Sequence, residues 1–307
     1  MKLSYGSAFQ QAGDQHTPLE LLKIGKEIGF SCYDLALSVN MVGTPENRDE
    51  SAAKWKKLFD DAEVTVTQTH APFKNSDPMF DAVSGTLYFC QKAGFKNTVI
   101  HPLGYDGNSK EQFFENNIKY VRSLIPHIEA TGVELLVENI GQYTDPYFFW
   151  SGKDLRDLLD EINHPLVNAC WDIGHANHFY IMHVGTPYDS ITTLGDKLKA
   201  IHAHDNLGYF IAHKQGMIDM HMMPYASGYS SVNWDAVMQG LKDINYKGTF
   251  NFETGAVSTC GRRPDFVYNG EVVNRLRKPS FEVWKAGTEL LHAIGKSMLE
   301  EYGMYEE

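Results

Sequence analysis

Cysteine is scarce in this sequence. Only Cys32, Cys90, Cys170 and Cys260 occur among 307 residues, far apart and without a Cys-x-x-Cys pair. That argues against a disulfide framework and fits a reducing compartment, so a cytoplasmic location is expected. Long apolar runs are missing too. No stretch approaches the roughly 18 residues that a membrane-spanning helix needs. The opening residues, MKLSYGSAFQQAGDQH, hold no apolar core of a signal peptide. Positive charge is in short supply, with 27 Lys and Arg against 39 Asp and Glu and a net charge of −12. An acidic chain disfavours a polyanion, so neither nucleic acid nor a membrane is expected as a partner. No Pro/Ser linker or low-complexity tract divides the chain, so residues 1–307 are expected to form a single domain. A glycine-rich turn after the first strand, the mark of a doubly wound sheet, is also lacking, since Gly6-Ser7-Ala8 stands in its place.

What is present is alternation. Short β-branched or apolar runs alternate with longer segments of helical period. The strand candidates are Leu3–Gly6, Cys32–Ala36, Val64–His70, Thr98–His101, Glu134–Glu138, Leu166–Asp172, Ala200–His204 and Thr249–Glu253. Helix candidates between them are Pro18–Ile28, Glu50–Asp61, Pro78–Lys92, Lys110–Ala130, Gly152–Ile162, Pro187–Lys197 and Trp234–Ile244, with Phe281–Met298 closing the ring. Thr17 and Pro18 read as a cap and a first-turn proline. Gly29, Gly94 and Gly132 stand where helix C-termini want a positive φ. Eight strand–helix units predict an α/β fold, a (β/α)8 TIM barrel. Strand eight should end near residue 253. Residues 254–307 would then supply a mouth loop, the closing helix and an acidic tail, Glu300–Glu307, read as loosely ordered.

The middle strands end in a repeated way. Apolar runs lead into His70, His101, Glu138, Asp172, His202 and Glu253, with His175, His204 and Asp205 close behind. From His70 to His202 the intervals are 31, 37, 34 and 30 residues, each about one βα unit. The polar residue therefore returns at one height, the C-terminal mouth of the barrel. Burying such groups without partners would cost roughly 2–7 kcal/mol apiece. A divalent metal removes that cost by taking carboxylates and neutral imidazoles as ligands. Oxygen and nitrogen ligands without thiolate suit Mn, Zn or Co best, with Mg or Fe also possible.

The ordered set Thr69-His70-Ala71-Pro72, Ile100-His101-Pro102, Val137-Glu138-Asn139, Trp171-Asp172-Ile173-Gly174-His175, Ile201-His202-Ala203-His204-Asp205-Asn206 and Phe252-Glu253-Thr254 resembles the xylose-isomerase-like barrel superfamily. That group contains sugar isomerases and epimerases and also endonuclease IV. The resemblance runs from about Lys2 to Glu253. Its tagatose-epimerase branch implies Glu138, Asp172, His202 and Glu253 as metal ligands, with His175 touching substrate. His70, His101 and His204 are further substrate-binding candidates. The endonuclease IV branch implies a larger site whose additional ligands match His70, His101, His175, Asp219 and His221. Where uncharacterised members of the superfamily usually carry a Pro-Gly-x-Gly turn, this chain has Pro224-Tyr225-Ala226-Ser227-Gly228.

Two functions follow from the resemblance. The first is a metal-dependent isomerase or epimerase of a small-molecule sugar or sugar phosphate. It would remove a proton next to a carbonyl, through an enediolate that the metal stabilises, with Glu138 and Glu253 as catalytic carboxylates. Trp150, Trp171, Phe73 and Tyr105 would cover the sugar's apolar face. The alternative is an endonuclease IV-like phosphoesterase with clustered zinc. A DNA-binding mouth should be rich in Lys and Arg. Its loops instead read Asn75-Ser76-Asp77, Tyr143-Thr144-Asp145 and Thr186-Pro187-Tyr188-Asp189, with only Lys214 and Arg262-Arg263 as obvious cations. A homo-oligomer is a further expectation of the resemblance.

Overall fold

The computed structural model describes residues 1–6, 16–74, 77–78, 80–105, 107–140, 149–182, 185–206, 210–211, 216–217, 221–225, 231–254, 267–268, 271–272 and 280–307. Within them one sheet holds eight strands. These are β1 (Leu3–Tyr5), β2 (Cys32–Ala36), β3 (Thr65–His70), β4 (Asn97–Ile100), β5 (Glu134–Glu138), β6 (Val167–Asp172), β7 (Leu198–His202) and β8 (Phe250–Phe252). Their order is β8-β1-β2-β3-β4-β5-β6-β7, and each neighbouring pair is parallel. The end strands meet at a parallel bridge between Ala203 and Phe252. There Ala203 N–H donates to Asn251 O (2.8 Å) and Glu253 N–H donates to Ala203 O (3.2 Å). The sheet thus curls round on itself, as the alternation predicts.

A helix follows each strand: α1 (Pro18–Ile28), α2 (Arg48–Ala62), α3 (Phe80–Ala93), α4 (Lys110–Thr131), α5 (Gly152–Ile162), α6 (Pro187–Leu194), α7 (Trp234–Asp243) and α8 (Phe281–Glu301). Local chemistry sets their ends. Glu20 N–H donates to the Thr17 hydroxyl (3.3 Å) and Thr17 N–H donates back to the Glu20 carboxylate (2.7 Å), closing a capping box around Pro18. Ser109 and Gln112 form the same box before α4. Each cap is worth about 0.5–2 kcal/mol. Gly132 ends α4 at φ 67°, a left-handed conformation that costs glycine least.

Alternation along the strands divides two layers. Ile100, Leu135, Val137, Trp171 and Ile201 join the large core between sheet and helices. Val99, Leu136, Cys170 and Ala200, one position away, form a separate apolar cluster inside the barrel. On α5, Leu155, Leu158, Leu159 and Ile162 fall on one buried stripe against the sheet. Each such side chain contributes about 1.5–3 kcal/mol by leaving water.

The structure departs from the sequence reading in several places, a short helix at Val39–Val42 among them. Pro78 does not open a helix; it pairs with Phe73 in a short antiparallel ladder, and α3 begins at Phe80. A helix not foreseen, Ile173–Met182, follows β6 directly. Residues 173–178 are buried, so no polar stripe betrays its period. The acidic tail is docked rather than loose. Glu306 N–H donates to Met1 O (3.0 Å), Tyr302 Oη donates to Asp235 Oδ1 (3.1 Å), and Met304 and Tyr305 pack against the core. Among the described residues no helix is long and apolar enough to cross a membrane.

Candidate metal centre

Strand ends bring the predicted side chains together. Glu138 ends β5, Asp172 ends β6, His202 ends β7, and Glu253 follows β8. One ligand atom from each of these four lies within 4.8 Å of the others. His202 Nδ1 is 3.0 Å from Glu253 Oε2, 3.3 Å from Glu138 Oε1 and 3.7 Å from Asp172 Oδ2. Glu138, Asp172 and His202 are sealed, whereas the Glu253 side chain is 33% exposed. Glu253 is thus the member of the group that solvent reaches.

Two more groups adjoin it. His70, His101 and Glu138 form one, and His175, His204 and His221 form the other. His70 Nε2 lies 3.2 Å and His101 Nε2 3.5 Å from Glu138 Oε2. His70 Nδ1 donates to Ala71 O (2.9 Å), which leaves Nε2 as the nitrogen facing the cluster. His221 Nδ1 donates in the same way to Glu253 O (2.8 Å). His175 N–H donates to Asp172 Oδ1 (2.6 Å), so Asp172 also caps the helix Ile173–Met182. The motif Asp172-Ile173-Gly174-His175 is therefore a helix start as well as a pair of polar groups.

His204 has no exposed surface, and its Nε2 donates to Asp172 Oδ2 over 3.0 Å. Its ring rests against Gly174. A Cβ there would sit 2.0 Å from His204 Cε1, so only glycine leaves room for the imidazole. His204 and His221 stack with ring centroids 4.0 Å apart and an interplanar angle of 16°.

The electrostatics favour a cation. Burial opposes charge on His202, but Cys170, Glu253 and Glu138 outweigh it and raise the pKa well above the usual imidazole value. Burial also pushes the Cys170 thiol up to about 12, so near neutral pH the two glutamates carry the negative charge. Burial likewise opposes charge on Glu138 and Glu253. His202 and the neighbouring histidines reverse that and hold both below the ordinary carboxylate range. Among the described residues, the ion-pair partners of Glu138, Asp172 and Glu253 are all histidines. Acids balanced only by imidazoles form a donor set of oxygen and nitrogen, which fits a divalent metal.

Other sequence candidates fall elsewhere. Asp219, Lys214, Arg262 and Arg263 lie outside the described residues. Trp150 and Trp171 do not line the mouth; they are 1% and 0% exposed. Trp171 sits between inward-facing Cys170 and Asp172, so the strand turns its indole outward into the helix layer. Trp150 packs edge-on to His178. Tyr105 is half-buried against the core. Phe73 is half exposed and lies over His101, ring centroids 4.2 Å apart, so it alone of the four stands beside the cluster with open surface.

Three polar residues beneath His202 escaped the sequence reading: Asp34, Gln68 and Asn251, all buried. Their signal was present. Gln68 precedes His70 by two positions and Asn251 precedes Glu253 by two, so each shares its ligand candidate's inward face.

Fold and site together define an α/β barrel with a cluster of acids and imidazoles at the strand C-termini. The chain belongs to the xylose isomerase-like TIM barrel family, whose profile matches residues 22–287. It is 24% identical over 214 residues to the uncharacterised protein MJ1311 of Methanocaldococcus jannaschii, a match covering 64% of this chain and 67% of that protein. Among solved structures, D-psicose 3-epimerase with D-tagatose from Clostridium cellulolyticum H10 superimposes with a TM-score of 0.69 at 16% identity, covering 97% of this chain and 99% of the other. The IOLI protein with a bound zinc atom gives a TM-score of 0.66 at 17% identity, covering 100% of both chains. At these identities the structural likeness concerns the fold.

Proposed function

We propose that the protein is a divalent-metal-dependent isomerase or epimerase of a sugar or sugar phosphate. The observation that carries this reading is the group Glu138, Asp172, His202 and Glu253, four ligand-type residues converging where one carboxylate is open to substrate and three residues are sealed. These four residues would hold the ion. A bound divalent cation supplies positive charge where negative charge grows on a substrate oxygen. The chain's own residues do the rest. Glu253, reachable from outside, takes a proton from the carbon next to the carbonyl and, now a carboxylic acid, can give it back; Glu138 is the second carboxylate that would exchange a proton with the substrate. Both start as carboxylates, held so by the surrounding histidines, and are therefore unprotonated when substrate arrives. Phe73 offers an apolar surface to the substrate beside His101. The named sugar epimerase among the structural neighbours supports this substrate class.

The test is exchange chemistry. Purified protein with Mn, Zn or Co and a panel of ketoses in deuterium oxide should incorporate deuterium at the carbon beside the carbonyl. One observation favours a second reading. The groups His70–His101–Glu138 and His175–His204–His221 adjoin the first and suit additional ions, as in a multi-zinc phosphoesterase like endonuclease IV. Metal analysis separates the two. One ion per chain with deuterium exchange supports the isomerase. Three zinc ions per chain, cleavage of an abasic-site duplex and no exchange would overturn it.

A further inference from the structure

The barrel interior is uneven. On one side β4 to β7 fill it with Val99, Leu136, Cys170 and Ala200. On the other side β2, β3 and β8 contribute Asp34, Gln68 and Asn251, exposed by 4%, 3% and 0%. Gln68 Nε2 and Asn251 Nδ2 each donate to Asp34 Oδ2 over 3.1 Å. The Gln68 amide also touches His202 Nε2 at 2.5 Å, and Asp34 Oδ2 lies 3.7 Å from the same nitrogen. Nδ1, the other ring nitrogen, faces Glu253, Glu138 and Asp172.

A carboxylate and two amides inside a barrel are costly to desolvate. Apolar side chains like those opposite would fill the space without that cost. The polar group is therefore explained by what it touches, and what it touches is His202. An imidazole that offers Nδ1 to a cation carries its hydrogen on Nε2. The group that accepts this hydrogen sets the orientation of the ring. As placed, the Gln68 amide nitrogen faces both Asp34 and the ring; turned over, the amide would accept the ring's Nε2–H through its oxygen and give up its bond to Asp34. Asp34 stands behind it as the carboxyl, 3.7 Å from Nε2.

We propose that Asp34 and Gln68 are positioning residues, a carboxylate–amide pair beneath His202 that holds its ring with Nδ1 toward the metal. This rests on the reading of His202 as a ligand. The pair acts through His202 and does not touch substrate.

The test uses cobalt chloride as probe, with binding followed by equilibrium dialysis and by the visible absorption of Co(II), which reports ligand geometry. Q68L and D34N should weaken cobalt binding about 10–100-fold, the usual scale for losing an outer partner of a metal-bound histidine, and should alter the absorption bands. V99A, in the apolar half of the same interior, should lower Tm while leaving cobalt binding within twofold. That contrast separates positioning from general destabilisation. Q68L and D34N binding cobalt like the parent, with unchanged spectra, overturn the proposal. If Q68L does not fold, Q68M and D34N carry the same test. A parent protein that binds no cobalt overturns the reading of the site itself; a parent that binds with parent-like variants overturns only the positioning pair.

Discussion

The two ends of the barrel hold polar groups of different kinds. At the C-terminal end, acids and imidazoles from successive strands converge until their ligand atoms lie within 4.8 Å. At the N-terminal end is a cavity of about 760 Å³, lined by Ser31, Thr65, Thr67 and Thr249 together with the tail residues Tyr302 and Met304. Two of its hydroxyls, those of Thr67 and Thr249, pair with each other over 3.3 Å, and Glu63 at its edge pairs with Lys26. Space alone therefore does not mark chemistry in this molecule. Convergent titratable groups whose ion-pair partners among the described residues are histidines mark it better, and they stand at the barrel end where active sites of this architecture sit.

The contrast predicts that changes at the mouth alter reaction and metal binding, whereas changes at the floor alter stability alone. The largest effect is expected for Glu253→Gln. Deuterium exchange with the ketose panel should fall by about 10²–10⁴-fold, the usual share of a proton-moving carboxylate, with metal binding partly retained. Unchanged turnover in this variant removes Glu253 from the mechanism.

Next in size is the effect of metal on stability. Metal at about a hundred times its Kd should add about 2.7 kcal/mol, read as a rise in Tm that a chelator reverses. The rise should depend on pH. His202 has a raised folded pKa, so its stabilisation is complete below the usual imidazole value and is lost as pH climbs through the raised one. Glu138 and Glu253 have lowered folded pKa values, so their stabilisation is present above the usual carboxylate value and is lost as pH falls through the lowered ones. Metal-free protein is thus stabilised by its own cluster around neutral pH and loses the His202 share on the alkaline side. Metal and the His202 proton compete, so the metal-induced rise in Tm should grow with pH. A rise that is flat, or larger in acid, breaks the account.

The smallest effect belongs to the floor. Thr67→Val removes one hydroxyl contact and should cost about 0.5–1.5 kcal/mol, with deuterium exchange unchanged. A loss of exchange in Thr67→Val would erase the contrast between the two ends.

Much of this was legible in the sequence, for physical reasons. Helix α1 and helix α5 match their expected bounds because caps and an amphipathic stripe mark them. Glu138, Asp172, His202 and Glu253 stood out because a polar residue ending an apolar run needs a partner. Two kinds of information were hidden. Gln68 and Asn251 share a strand face with His70 and Glu253, but that they meet Asp34 beneath His202 becomes visible only when the sheet closes. Trp171, expected at the mouth, alternates with Asp172, and β6 turns it away into the core. The helix Ile173–Met182 was hidden because residues 173–178 are enclosed.

Gly174 links two distant stretches of chain. Its bare Cα is the seat of the His204 ring, so the two positions are not free to vary independently. Across the many barrels that share this architecture, a histidine at the place of His204 should travel with a glycine at the place of Gly174. A lineage that gained a methyl group there should have traded its histidine for something smaller.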